Sequence, residues 1–390
     1  MTLLKPFLIV IKTILFFLFD SIAFWKTLSP QQNQLELVLL IRQDAIGDFM
    51  MWLDTAKEYR KLYPPDKYKI ILAGNKIWCD LAQELPYWDE VIPVDSIQFK
   101  TFSRYRRDLI WKIRNLKADT AIQPTFSREF YNGDSIVRAS KASRKVSSVG
   151  NMGNRNLLKQ FIADRWHTEL IPVSSEPLTE LERNAEFFSG LSHSPHLISY
   201  PKLDVPEFWL SSEWKDENFY VLIPGTSGTV TGKEWPASSF SNIAKKVFQK
   251  TGWKGIICGA QQEYIWGEQI RGQCDAPLQN LSGQTTLPVL ASLLSQSRLT
   301  LSNDTGAVFI SSAVGTPSVC ILGGGHFGRF LPYPDLPGQI NNLKEIFHKM
   351  PCFGCNWDCV YPIKKGESAP CIANVSVDTV WEKIKPLLTK

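Results

Sequence analysis

The 390-residue sequence lacks an apolar run long enough to span a bilayer: "FLIVIKTILFFLF" (7–19) is strongly apolar but falls short, since a spanning helix needs about 20 such residues. A clean secretory leader is also missing. The apolar centre is interrupted, and "SIA" (21–23) is a poor cleavage site. Strong charge of either sign is absent, because 43 Lys and Arg against 38 Asp and Glu leave a net charge of +5. Nucleic-acid binders more often gather cations on one face, so the mild excess points to small anionic ligands and no nucleic acid. Nor is there the cysteine density of a small disulfide-stapled secreted domain. The eight cysteines therefore imply a reducing, cytosolic setting.

What is present fits globular cores: 44% hydrophobic and 21% charged residues. The length suits two domains of about 150–180 residues. Thirteen Trp and twenty-two Phe have a core as their default place. On a helical wheel Lys5, Lys12, Asp20 and Lys26 share one side, with Ile9 and Phe16 among them. That pattern suits a helix lying on a membrane surface, with packing on the domain itself, or a true span or signal, as the other readings.

Strand-like and helix-like stretches alternate. "LELVLLIR" (35–42), "KYKIILAG" (67–74), "DEVIPV" (89–94) and "ADTAIQP" (118–124) read as strands, with a helix pattern in "FMMWLDTAKEYRKLYP" (49–64) after the first. The series restarts with "FYVLIPG" (219–225), "KGIICGA" (254–260), "RLTLSN" (298–303) and "SVCILG" (318–323). Short buried strands alternating with helices imply parallel sheets covered on both faces. The expected fold is α/β, with two Rossmann-like doubly wound domains facing a cleft. The expected divisions are an apolar amphipathic segment (1–30), a first domain (31–205), a second domain (206–350) and a cysteine-containing tail (351–390). Ligands of such sheets sit at the carboxyl ends of strands, where "GD", "PGTSG", "GAQQE", "SNDTG" and "GGGHFG" fall.

Residues 298–330 hold two candidate phosphate sites. Gly323, Gly325 and Gly328 spell G-x-G-x-x-G, but a dinucleotide fingerprint needs its last glycine to open a helix. Here "RFLPYPDLPG" follows, and Pro332, Pro334 and Pro337 forbid a regular helix. No acidic residue stands at the matching distance, so the nicotinamide-cofactor reading fails. "SNDTGA" meets its own requirement: it follows an apolar strand and opens the helix pattern "AVFISSAVG". Backbone N–H groups and the positive helix end can hold an anion there. Asp304 and Thr305 equally suit a plain helix N-cap.

"IRQDAIGDFMMWLDTAK", "PGTSGTVTGKEWP", "GAQQE" and "LSGQTTLPVLASLLSQSRLTLSNDTGAVFISSAVGTPSVCILG" occur in this order. Together they resemble glycosyltransferase family 9, the lipopolysaccharide heptosyltransferase family, over about residues 36–325. The resemblance implies a GT-B fold, with acceptor bound mainly by the first domain and nucleotide-sugar by the second. It implies inverting transfer from a nucleoside-diphosphate sugar, typically ADP-heptose, to a lipopolysaccharide or other surface-glycan acceptor. The implied setting is peripheral, on the inner face of a bacterial inner membrane. Matched residue by residue, Asp48 is the catalytic base, while Gly47, Ser127 and Arg128 fall on the acceptor side. Arg128 would suit an anionic acceptor, and a surface salt bridge is its alternative. Lys233 of "GKEWP" would contact phosphate. Thr226, Ser227 and Gly228, with Asp304, Thr305 and Gly306, would add hydroxyls and backbone donors. Glu263 would accept hydrogen bonds from a ribose. No metal or other cofactor is required, because Lys233 and helix-end donors can take the part of Mg²⁺.

The sequence departs from the family at Phe309, where "DTG-x-x-H" commonly carries histidine. The loop "GGGHFGRF" also differs, and it offers His326 and Arg329 as replacement polar contacts. A catalytically idle GT-B protein that binds nucleotide-sugars or scaffolds glycan assembly is the second reading. Near the C-terminus, Cys352, Cys355, Cys359 and Cys371 are spaced C-x2-C-x3-C-x11-C. Four thiolates so spaced can ligate Zn²⁺, and packed or redox-labile thiols are the alternative.

Overall fold

The stretch "ELVLLIR" forms β1 (Glu36–Arg42), buried at every position after the first. Such a strand lies between two covering layers, which is why it is a continuous apolar run rather than an alternating one. The structure, a computed structural model, describes residues 4–23, 35–209, 214, 217–226, 232–364 and 366–388. Beside β1 run β2 (Tyr68–Asn75), β3 (Glu90–Val94), β4 (Thr120–Gln123), β5 (Arg144–Ser148) and β6 (Glu169–Ile171). They make a six-stranded sheet in the order β3-β2-β1-β4-β5-β6, parallel throughout.

A second sheet repeats the winding. It is built of β7 (Phe219–Ile223), β8 (Lys254–Ile257), β9 (Leu278–Asn280), β10 (Thr300–Asn303), β11 (Ser318–Ile321) and β12 (Leu343–Ile346). Its order is β12-β11-β10-β7-β8-β9, again all parallel. The strand order reverses between β1 and β4 in one sheet and between β7 and β10 in the other. These are the switch points where doubly wound sheets bind ligands. The architecture is thus the Rossmann-like pair of the GT-B fold.

By internal contact the chain divides into two units. One comprises Met1–Ala45, Thr55–Ser175 and Arg183–Leu197; the other Ile46–Asp54, Glu176–Glu182 and Ile198–Lys390. In the first, Leu37, Leu39 and Ile41 of β1 join Leu109, Ile110, Ile113, Ile136 and Val137 in one core. In the second, Leu222, Phe240, Ile257, Leu301 and Ile321 share a core with Ile372, Val380 and Ile384. The C-terminal segment is therefore part of that unit's interior.

Helix Leu4–Ala23 is fastened to the first unit through its polar stripe. Asp20 accepts two hydrogen bonds of 2.7 Å from the buried Arg106 guanidinium, and Thr13 meets the Tyr131 hydroxyl at 3.1 Å. Removing one partner of so buried an ion pair costs about 3–5 kcal/mol, because the other charge is left uncompensated. Among the described residues no helix is long and apolar enough to cross a membrane.

Candidate active site

Helix Ile46–Ala56 starts three residues earlier than the apolar pattern suggests, so Asp48 lies within its first turn and does not cap it. A carboxylate there is favoured by the positive helix end. The residues leading into this helix are held firmly. Arg42, fully buried at the end of β1, donates to Asp44 and to Asn184, the latter at 2.7 Å. The Asp44 carbonyl accepts from Asn75 at 3.1 Å and from the Trp78 indole at 3.0 Å. Asp44 is thus committed to its own turn.

The start of helix Gly306–Ala313 lies against the start of helix Ile46–Ala56. A Cβ placed on Gly306 would come within 2.6 Å of the Ile46 Cβ, and one on Gly47 within 3.1 Å of the Phe309 ring. Gly306 leaves no room for a Cβ at this approach, while at Gly47 the Phe309 ring would have to give by a few tenths of an ångström. Thr305 occupies the N-cap position with extended backbone, but its hydroxyl makes no cap hydrogen bond. The first N–H groups of that helix therefore keep donors for an anion.

Lys233 stands beside this helix start. Its Nζ is 3.6 Å from Asp304 Oδ2 and 4.8 Å from the centre of the Trp357 ring. Buried Asn303, at the end of β10, explains the placement. Its side chain donates to the Pro224 carbonyl at 2.6 Å and accepts from the Trp235 backbone N–H at 3.1 Å. The end of β7 and the "KEWP" segment are thereby tied to one side chain. Asn303 was invisible as a site residue in the sequence, because its partners lie about 70–80 positions away.

Thr226 is buried and its hydroxyl donates to Glu234. Glu263 is half-buried; its carboxylate accepts from the Ala260 N–H at 2.7 Å and lies against the Gly225 backbone. Ser227 and Gly228 lie outside the described residues.

The glycines Gly323, Gly324 and Gly325 do not cradle phosphate. A Cβ on any of them would run into Trp357 or Phe353 of the C-terminal segment at 2.3–2.4 Å, so they are seats for two aromatic rings. No helix follows Gly328 before β12. His326 instead reaches Asn356, with Nε2 2.7 Å from Oδ1. Burial holds its imidazole below the usual value, against the raising effect of that hydrogen bond, so it is neutral at pH 7. Asn356 and Trp357 both have positive φ, 52° and 64°, a pairing of unfavourable conformations that tends to mark functional ground.

Arg329 is brought between two carboxylates. Its Nη2 lies 3.9 Å from Asp48 Oδ1 and 3.9 Å from Glu180 Oε2, and its carbonyl accepts from the Glu180 N–H at 2.8 Å. Glu180 was not foreseen. It is buried at the first turn of helix Glu180–Ser192, far from both partners in sequence.

Chemically, the second unit thus joins a carboxylate in a helix turn, a cationic side chain beside it, and a lysine next to a helix start with donors to spare. Residues 169–359 match glycosyltransferase family 9 (heptosyltransferase). Over these residues, just under half of its length, the chain is similar to that family. Lipopolysaccharide heptosyltransferase 2 of Salmonella typhimurium is 22% identical over 369 residues, covering 90% of this chain and 99% of the relative. A family 9 glycosyl transferase from Veillonella parvula superposes with a TM-score of 0.69 at 16% identity, over 90% of this chain and 97% of that one. An E. coli heptosyltransferase with ADP-2-deoxy-2-fluoro heptose gives 0.65 at 14% identity, over 90% and 99%.

The acceptor-side residues of the first unit fare differently from expectation. Arg128 is entirely buried, so neither an exposed anion contact nor a surface salt bridge describes it. It donates to Asp134 at 2.8 Å, and to Asp164 and the Ser148 carbonyl at 3.0 Å each. His167 joins the network, its pKa lowered to about 3 by burial first and by Arg128 second. Desolvation explains the correction: a guanidinium with no access to water stays charged only among such acceptors. Ser127 remains half-buried, receiving hydrogen bonds from Asn151 at 3.2 Å and, through its carbonyl, from Asn154 at 2.8 Å.

Phe309, standing where the family commonly has histidine, is buried against Gly47 and 6.3 Å from the Tyr333 ring. The four C-terminal cysteines line one small pocket with Trp357 and Met350. Among the described residues no group of three or more His, Cys, Asp or Glu is arranged to hold a metal ion.

Proposed function

We propose that this protein is a family 9 glycosyltransferase that moves a heptose or closely related sugar from ADP-heptose, or a similar nucleoside-diphosphate sugar, to a hydroxyl of a lipopolysaccharide-core or other surface-glycan acceptor, with inversion. The donor and acceptor classes rest on the printed names of its relatives. The observation that carries the chemistry is the glycine contact between the helix starts of Ile46–Ala56 and Gly306–Ala313. In this reading the contact supports a base and a diphosphate site lying side by side.

In this reading the Asp48 carboxylate takes the proton of the acceptor hydroxyl. The oxygen attacks the anomeric carbon from the face opposite the diphosphate, and the carbon–oxygen bond to the diphosphate breaks. One such displacement inverts the centre. The leaving diphosphate gathers negative charge, which Lys233 and the N–H groups at Gly306 stabilise as fixed donors. Arg329 supplies positive charge beside Asp48 and keeps the carboxylate in place. Ordinary geometry matters more than basicity for an aspartate in this part.

A thermal-shift panel of ADP-, GDP-, UDP- and dTDP-sugars, ADP-heptose included, tests the donor site. Ligand at about 100 times its dissociation constant adds roughly 2.7 kcal/mol of stability. Selective stabilisation by ADP-sugars is expected. A panel in which none of the four classes moves the melting point would count against residues 225–325 as a donor site.

A further inference from the structure

Helix Leu4–Ala23 presents an unusual outer face. Thr13, Phe16 and Asp20 are its inward stripe: Phe16 stacks on Phe102 at 4.0 Å and lies 4.6 Å from the Tyr131 ring. Opposite that stripe a helix on a soluble domain normally carries polar residues. Here stand Ile11, Leu15 and Leu18, 38%, 48% and 57% exposed, flanked by Val10, Ile14 and Phe17. Thr13 and Asp20 turn toward the protein, and these apolar side chains away from it. Propensity and core packing leave this face unexplained, and exposed apolar patches of this kind mark interaction sites.

The patch continues past the helix. Ile14 and Phe17 border an apolar cavity of about 280 Å³, closed by Phe130, Ile162, Trp166 and Arg138. Along helix Leu157–Asp164, Leu157 and Phe161 are one turn apart and 77% and 58% exposed.

Cations accompany it. Lys12 and Lys159 both approach the Tyr131 ring, at 5.1 and 4.7 Å. Burial lowers the Lys159 pKa, and the like charge of Lys12 lowers it further. In the cavity wall Arg138 lies 4.0 Å from the Phe17 ring and 3.8 Å from Asp20, which is already paired with Arg106.

We infer that the outer face of helix Leu4–Ala23, with the cavity beside it and the exposed side chains of helix Leu157–Asp164, docks on the surface of an anionic phospholipid bilayer. The apolar face enters the headgroup boundary, while Lys12, Lys159 and Arg138 meet lipid phosphates. The buried Asp20–Arg106 pair fixes the helix to the unit, so the protein is held flat rather than tethered. This inference does not depend on the transfer reaction.

The test is sedimentation of the full chain with vesicles of phosphatidylglycerol and phosphatidylethanolamine, against phosphatidylcholine vesicles. Binding to the anionic vesicles that weakens with salt is expected. Leu15→Glu with Leu18→Glu should lower partitioning by about tenfold or more, at an unchanged melting point, because both side chains face outward. Should that variant not fold, Leu15→Gln with Leu18→Gln gives the same readout without added charge. Lys12→Gln with Lys159→Gln should lower binding to the anionic vesicles alone. No binding to anionic vesicles, or unchanged binding by a folded double variant, overturns the inference. So does light scattering that finds a dimer which Leu15→Glu with Leu18→Glu converts to monomer, since a second copy would then cover the face.

Discussion

Gly306→Ala isolates the contact on which the proposed chemistry depends. No unusual backbone angle is required at Gly306, so alanine brings one methyl group and nothing else. That methyl would lie 2.6 Å from the Ile46 Cβ and 3.2 Å from the Gly47 nitrogen, where ordinary contact begins near 3.4 Å. One of the two helix starts must recede by about 1 Å, since a Cβ cannot swing away as a side-chain tip can. Overpacking of this kind costs about 1–3 kcal/mol of stability. A displacement of about 1 Å between reacting groups costs about 100-fold in rate, which corresponds to roughly 2.7 kcal/mol in the barrier. Steady-state kcat/KM and the melting point are to be measured together, with Gly272→Ala as control, because a Cβ there meets nothing. The control should keep its rate and melting point. Gly306→Ala with full turnover would refute the reasoning, whatever its melting point.

Two further perturbations follow from the same structure. Lys233→Gln should lower kcat/KM by about 100-fold or more, as loss of one fixed donor to a leaving anion does, and calorimetry should find weaker ADP binding; unchanged affinity and rate would remove Lys233 from the donor site. His167→Gln should flatten the acid side of the stability profile. The folded pKa of His167 is lowered to about 3 from 6.5, so the unfolded chain takes up a proton that the folded chain refuses. Its share of stability is therefore present above 6.5 and falls as pH drops below that value, by up to about 1.4 kcal/mol per unit. Unfolding free energies from urea titrations at pH 7 and 4.5 should differ by about 2.7 kcal/mol less in the variant than in the parent, and equal differences would contradict the buried-imidazole reading.

Long apolar strands were legible in the sequence because their signals are local, whereas the start of helix Ile46–Ala56 was placed three residues late. "ELVLLIR" could hardly be anything but a covered strand, and Pro332, Pro334 and Pro337 correctly removed the helix that a dinucleotide site would need. The short strands β5, β6, β9 and β12 escaped, since three to five residues carry too little periodicity against charged neighbours such as Lys344 and Glu345. At the site, motif positions brought Asp48, Lys233 and Thr305 into view one at a time. Their assembly was not legible, because it rests on contacts across the chain: Gly47 on Phe309, Arg329 beside Asp48 and Glu180, Asn303 holding Trp235. Arg128 shows the reverse failure. Nothing in "TFSREF" tells that Asp134, Asp164 and His167 enclose its guanidinium. The N-terminal stretch is a helix over Leu4–Ala23, and the sequence could not tell that Asp20 turns inward to Arg106; Lys26 lies outside the described residues.

The most direct test of the central claim is turnover by Asp48→Asn with ADP-heptose and a heptose-accepting lipopolysaccharide core, measured as ADP release, alongside donor affinity by calorimetry. The amide keeps the size of the side chain but cannot take the acceptor proton. A fall in kcat of about 100- to 10,000-fold, the usual worth of a general base, with donor affinity kept, is the predicted result. Undiminished ADP release by Asp48→Asn would contradict Asp48 as the base and the mechanism built upon it.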